Sequence, residues 1–204
     1  GHHRSASSSR LAALKRSQGC KADDPSQFFL SLLMDEDTLE IFPFHRVVRD
    51  LNNLEDTQFL EAIAESFDIT PTMTFEPTND KELVMVLKNE RYLLKPLASK
   101  VDFSHPTAGL STQYLTDLIL EPILHITDQK TSDRIEFISG FYGVEQTLRK
   151  LDKYPQGVAF ILYPISMKQV RKVADENLIM PPKSTWVEPK LRSGMTIYSF
   201  DDDC

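Results

Sequence analysis

The sequence predicts a mixed α/β fold: a mixed sheet with helices on its flanks. Three observations predict it. From Ile135 onward, β-favouring runs alternate with helical patterns: a strand Ile135 to Ile138, a helix Val144 to Leu151, a strand Val158 to Tyr163, a helix after Ser166 and a last strand Met195 to Phe200. Earlier, Phe28 to Met34 with Leu39 to Val48, and Leu83 to Lys88 with Arg91 to Leu97, are paired apolar runs at hairpin spacing. A hydrophobic content of 41% over 204 residues is that of a globular chain able to bury a sizeable core. The length fits one domain joined to part of another, with a boundary near residue 50.

Ser5 to Arg16 reads as a short helix, with Leu11 and Leu14 on one face, Lys15 and Arg16 at its negative end and Gly19 just beyond. Gly1-His2-His3-Arg4 then sits where a helix start exposes unpaired N–H groups, a natural cradle for an anion. A tag scar or a frayed end would look the same. In the first hairpin, Asp35 to Thr38 is the turn, and Pro43 makes the second strand an edge or bulged strand. His45 and Arg46 fall near its end, where a half-buried histidine and a solvated arginine are the ordinary reading.

Asn52 or Asn53 is placed to cap a helix in which Phe59, Ile63 and Phe67 recur every four residues. Pro71 and Pro77 punctuate a short link to the second hairpin, and Val101 to Gly109 is turn-rich. Ser111 or Thr112 starts a helix that Pro122 should bend. Asp128 to Arg134 reads as a solvated turn. Ser166 and Gln169 form a capping box. Strand-helix alternation implies crossovers and a mixed or parallel sheet.

The stretch Met180-Pro181-Pro182-Lys183-Ser184-Thr185-Trp186-Val187-Glu188-Pro189-Lys190-Leu191-Arg192-Ser193-Gly194 has no apolar period and three prolines, and is read as a long loop. It carries the single Trp. Lys183, Lys190 and Arg192 bring positive charge close to the hydroxyls of Ser184 and Thr185 and the carboxylate of Glu188, a set suited to a phosphate or carboxylate. A purely structural alternative has the proline loop cover a sheet edge with Trp186 in the core.

A net charge of -7 and an isoelectric point near 5.3 argue against nucleic acid as a partner. No apolar run approaches the ~20 residues that cross a bilayer, and no signal-peptide core is visible, so a cytoplasmic protein without membrane attachment is expected. Cys20 and Cys204 are too few and peripheral to imply a disulfide framework, and no metal site is expected. The Walker, G-x-G-x-x-G, H-E-x-x-H, C-x-x-C and G-x-S-x-G patterns are absent. Pro181-Pro182-Lys183-Ser184-Thr185 ends like a Walker loop, but prolines stand where backbone N–H groups would have to wrap a phosphate. The Asp201-Asp202-Asp203-Cys204 tail reads as solvated.

Gly1-His2-His3-Arg4, LEIFPFHRVVRDLNN from Leu39 to Asn53, LILEPILHI from Leu118 to Ile126, Val158 to Pro164 and above all MPPKSTWVEPKLRSG resemble the uncharacterised family called domain of unknown function 1015. The resemblance implies that Gly1 is native, the second residue of the family's Asp-Gly-His-His-Arg, and that the motif's Asp and an upstream portion are missing here. His125 stands where the family's small Gly is expected. The Asp-Gly-His-His-Arg segment is in turn similar to the phosphate-gripping turn of the ParB and sulfiredoxin fold, whose members include CTP-binding partition proteins, ATP-using sulfiredoxins and free-serine kinases. This implies that residues 1-50 are the tail of a ParB/sulfiredoxin-like nucleotide-binding domain and 51-204 an α/β domain. It also implies that Gly1, His2, His3 and Arg4 contact nucleotide phosphates; the expectation built on it is ATP, ADP or CTP with Mg²⁺ there and Lys183 to Arg192 closing the site. The leading expectation is a nucleotide-binding protein acting as a phosphotransferase on a small metabolite, with Glu188, His2 or His3 as base. The alternative is a nucleotide-switched ParB-like binding module without catalysis. Oligomeric state is left open.

Overall fold

The computed structural model describes residues 2–190, 192 and 194–199, with side chains from Arg4 onward. It divides into two compact units, one made of residues 1–38 and 189–204 and the other of residues 39–188. The expected boundary near residue 50 falls inside the second unit, because the strand around His45 is one of its sheet strands.

The larger unit is built on a six-stranded sheet in the order β3-β5-β4-β7-β2-β6. The strands are β2 (Phe44–Val48), β3 (Phe67–Pro71), β4 (Leu83–Leu87), β5 (Glu90–Pro96), β6 (Ile135–Ser139) and β7 (Val158–Leu162). β4 and β7 are unbroken apolar runs buried along their whole length, as strands covered on both faces must be. Side-chain alternation sorts them by face. Leu83, Met85, Leu87, Val158, Phe160 and Leu162 join one core, and Val84, Val86, Ala159 and Ile161 join the other. Helices α2 (Asp56–Ala64) and α3 (Ser111–Leu115) supply Phe59, Ile63, Tyr114 and Leu115 to the first core, while α4 (Val144–Leu151) supplies Leu151 to the second. Helix α5 (Met167–Asp175) opens on the expected capping box: Ser166 Oγ accepts the Gln169 N–H at 3.3 Å and Gln169 Oε1 accepts the Ser166 N–H at 2.9 Å.

Every neighbouring pair in the sheet is antiparallel, not mixed or parallel as expected. The alternation pattern is nevertheless real. β6 and β7 each run antiparallel to β2, so they are parallel to one another with β2 between them, and α4 is the crossover. Sequence order alone does not reveal a strand inserted from elsewhere in the chain.

Pro43 does not mark an edge strand. It separates β1 (Glu40–Phe42) from β2, which belong to different sheets; β1 pairs with β8 (Trp186–Glu188), matching Phe42 to Trp186 and Glu40 to Glu188. The proline loop therefore contains a strand, and its partner is what specifies it. Helix α2 starts at Asp56, with the Glu55 N–H donated to Gln58 Oε1 at 3.0 Å, while Asn52 and Asn53 lie in a turn with positive φ. Phe67 opens β3, whose Pro71 is tolerated because β3 is a sheet edge. The helix expected to bend at Pro122 instead widens into a π-type turn over Thr116–Leu120 and stops, since Pro122 has no N–H to give the preceding turn. His125 takes φ +53, the left-handed conformation that suits the glycine expected there.

In the smaller unit, α1 (His2–Ser17) extends the expected helix back through His2. Phe28 to Met34 forms no strand among the described residues: nothing pairs with it, and Phe28, Phe29, Leu30, Leu32 and Leu33 are exposed. Residues 195–199 likewise form no strand, and Phe200 lies outside the described residues. Cys20, expected to be a bystander, is buried, while Cys204 and the acidic tail lie outside the described residues. No described helix is long and apolar enough to cross a membrane.

Candidate functional site

The residues nominated from sequence divide between the two units. Arg4 stands exposed in the first turn of α1, a turn without acidic side chains; Lys190 and Arg192 are exposed in the same unit. His2 and His3 belong to α1 by backbone, but their side chains, and all of Gly1, lie outside the described residues. Lys183, Ser184, Thr185, Trp186, Glu188, His45 and Arg46 belong to the larger unit, around the ends of β1, β2 and β8.

Within that group the chemistry is uneven. Ser184 is buried: its Oγ donates to the Pro181 carbonyl at 2.6 Å and lies 3.2 Å from Thr112 Oγ1, which pins the loop to α3. Lys183 is exposed and has φ +51; its Nζ lies 5.3 Å from the centre of the Phe44 ring. Trp186 packs edge-on against Phe44 at 5.5 Å and Tyr142 at 6.0 Å, and its Nε1 donates to Glu188 Oε1 at 2.7 Å. Glu188 is thus an acceptor already engaged by an indole.

His45 and Arg46 depart most from expectation. Neither is half-buried or solvated: they are 3% and 1% exposed, because β2 lies inside the sheet with both faces covered. Arg46 Nη1 donates to the Phe44 carbonyl at 2.5 Å and Nη2 reaches the Pro182 carbonyl at 3.4 Å, with the guanidinium 4.8 Å from the centre of the Phe137 ring. Its Nε has no partner among the described residues, and burial pushes its pKa down to about 9. Sequence carried no sign of this, since an arginine between His45 and Val47 reads equally as surface.

His45 faces the other side of the sheet. Its Nδ1 accepts the Leu162 N–H at 3.2 Å, and burial, followed by the charge on Arg46, lowers its pKa to about 4. It lines a cavity of about 320 Å³ with Phe42, Pro43, Gly140, Ile161 and Tyr163, and with Glu76 exposed at the rim. Gly140 makes this geometry possible. Its N–H donates to the Pro43 carbonyl at 2.8 Å, and a Cβ there would stand 2.9 Å from Pro43 Cδ and 3.2 Å from His45 Nε2. The Gly140-Phe141-Tyr142-Gly143 turn that roofs this corner was not singled out from sequence, although two glycines flanking two aromatics are a signal for a close-packed turn. Among the described residues no group of three or more His, Cys, Asp and Glu side chains could hold a metal ion.

Solved structures similar to this chain include a free serine kinase mutant in complex with AMP, at 13% identity and TM-score 0.45, and another in complex with ADP, at 13% identity and TM-score 0.44. In both, the likeness covers 77% of this chain and 58% of the kinase. A conserved hypothetical protein from Pyrococcus furiosus is similar at 12% identity and TM-score 0.45, over 77% of this chain and 60% of that one. The chain therefore spans less than two thirds of the length of these structures. No curated protein matches the sequence. The family described as Protein of unknown function (DUF1015) matches residues 1–136, and the chain belongs to that family.

Proposed function

We propose that the protein binds a nucleotide by its phosphates. The observation that carries this reading is that His2, His3 and Arg4 of the motif open α1: Arg4 sits exposed in a helical first turn that holds no acidic residue, where the helix's unpaired N–H groups and its positive end favour an anion. Lys190 and Arg192 add positive charge within the same unit. The likeness of the motif to the phosphate turn of ParB and sulfiredoxin proteins belongs to this proposal.

In its finer form the proposal is phosphoryl transfer to a small metabolite, the reaction class that the free-serine-kinase resemblance implies. The acceptor oxygen would bond to the terminal phosphorus, the bond from that phosphorus to the nucleotide would break, and the acceptor proton would pass to His3, the candidate base in the same unit as Arg4. Mg²⁺ would enter on the nucleotide phosphates and neutralise developing charge there.

Thermal melting of the full chain with ATP, ADP or CTP at millimolar concentration and Mg²⁺ tests the binding step. A nucleotide at about 100 times its dissociation constant should add about 2.7 kcal/mol to stability, and Arg4→Ala should remove most of that gain. An unchanged melting temperature with all three nucleotides would sink the reading. Release of ADP or AMP only in the presence of an acceptor separates the kinase form from a nucleotide-switched binding module.

A further inference from the structure

His45 holds a proton that the protein does not use. The Leu162 N–H points at Nδ1, which fixes that nitrogen as the lone-pair acceptor. In the neutral ring the proton then sits on Nε2. That N–H finds no acceptor among the described residues, although the side chain is almost entirely buried. Opening on a cavity rather than sealed among packed atoms, it is free to donate to whatever enters. Nε2 lies beside Gly140, on the cavity that both residues line, and that cavity lies wholly within the larger unit.

The walls indicate what would satisfy it. Phe42, Pro43, Pro77, Val144, Ile161 and Pro164 make the lining largely apolar. Volume of about 320 Å³ is at the lower end of the range for small-molecule sites. The carboxylate on the lining, Glu76, would repel an anion, and His45 brings no positive charge to attract one. Phe42 and Tyr163 put aromatic rings on the lining, and Phe42 is held edge-on by Phe141 at 5.3 Å.

We propose that this cavity binds a small uncharged aromatic heterocycle, oriented by a hydrogen bond from His45 Nε2 to a ring nitrogen or carbonyl oxygen of the ligand. The proposal does not depend on the phosphate-binding reading, which rests on the other unit.

Titration of the full chain with adenine and with nicotinamide, following the His45 imidazole ¹⁵N resonances, tests it. Either heterocycle should move the Nε2 resonance saturably while leaving Nδ1 nearly unmoved. His45→Phe, which keeps a ring of similar bulk but no donor, should weaken binding about tenfold, the worth of one good hydrogen bond in a dry site. Gly140→Ala, which places a methyl beside Nε2, should weaken it as well. Benzene and inorganic phosphate are the controls, and neither should move Nε2. No shift with either heterocycle, or an equal shift with benzene, would overturn the proposal. So would a shift with phosphate alone, which would make the site an anion site. Should His45→Phe fail to fold, the wild-type resonances and Gly140→Ala still decide.

Discussion

The two faces of β2 bury adjacent ionisable residues in opposite ways. Arg46 stays cationic at ordinary pH, is capped by two backbone carbonyls and the Phe137 ring, and is sealed. His45, one residue earlier, gives up its charge and keeps an N–H beside open space. Both would be flagged by burial alone. What separates them is room: a ligand could reach the histidine, whereas the arginine is packed in, its Nη1 and Nη2 already holding Phe44 to the proline loop at Pro182. We therefore read Arg46 as a strut and His45 as a site.

The strongest way to break this contrast is to remove the strut. Arg46→Ala should destabilise the protein by about 3–5 kcal/mol, since it leaves a hole and frees two buried carbonyls. Arg46→Met, similar in volume and uncharged, should cost much less, because it also removes the penalty of burying a charge. Denaturant titration of both variants measures this. A cost below about 1 kcal/mol for Arg46→Ala would show that the guanidinium holds nothing together.

The next effect belongs to His45 and appears on acidification. Its folded pKa of about 4 lies below the ordinary 6.5, so between those values the unfolded chain binds more protons than the folded one. Stability is complete above pH 6.5, falls as pH drops through the window and levels off near pH 4. The full loss is about 3 kcal/mol. His45→Phe should flatten that part of the profile, and a slope that survives the substitution would place the titrating group elsewhere.

Legibility in the sequence followed locality. Helix α4, strand β7 and the α5 capping box were read within a residue or so, because period and caps are written in consecutive residues. The hairpin of β4 and β5 was legible for the same reason. Misread elements depend on partners far along the chain. β8 exists because β1 lies beside it, Phe28 to Met34 has β-favouring residues but no partner among the described residues, and β2 enters between β6 and β7 from an earlier position. The candidate site was legible by residue type only. Residue type alone pointed to Lys183, Ser184, His45 and Arg46, but which were buried, and on which face, required the sheet. Gly140 and Thr112, which lie against His45 and Ser184, gave at most the signals of a turn and a helix start and none of a site.

The smallest expected effect sharpens the same distinction inside the proline loop. Ser184 and Lys183 are neighbours, one buried and bonded to Pro181 and close to Thr112, the other exposed over Phe44. Ser184→Ala should cost about 1–2 kcal/mol, because it removes one donor and leaves a buried carbonyl short of a partner. Lys183→Ala should cost about 0.5–1 kcal/mol, the worth of an exposed cation over a ring. Repeating both melts with millimolar ATP separates structure from binding. If Lys183 contacts phosphate, its variant loses the nucleotide-dependent rise in melting temperature while its ligand-free melt scarcely moves; Ser184→Ala shows the reverse. Equal nucleotide responses in the two variants would remove Lys183 from the phosphate site and leave the loop as a cover for β1.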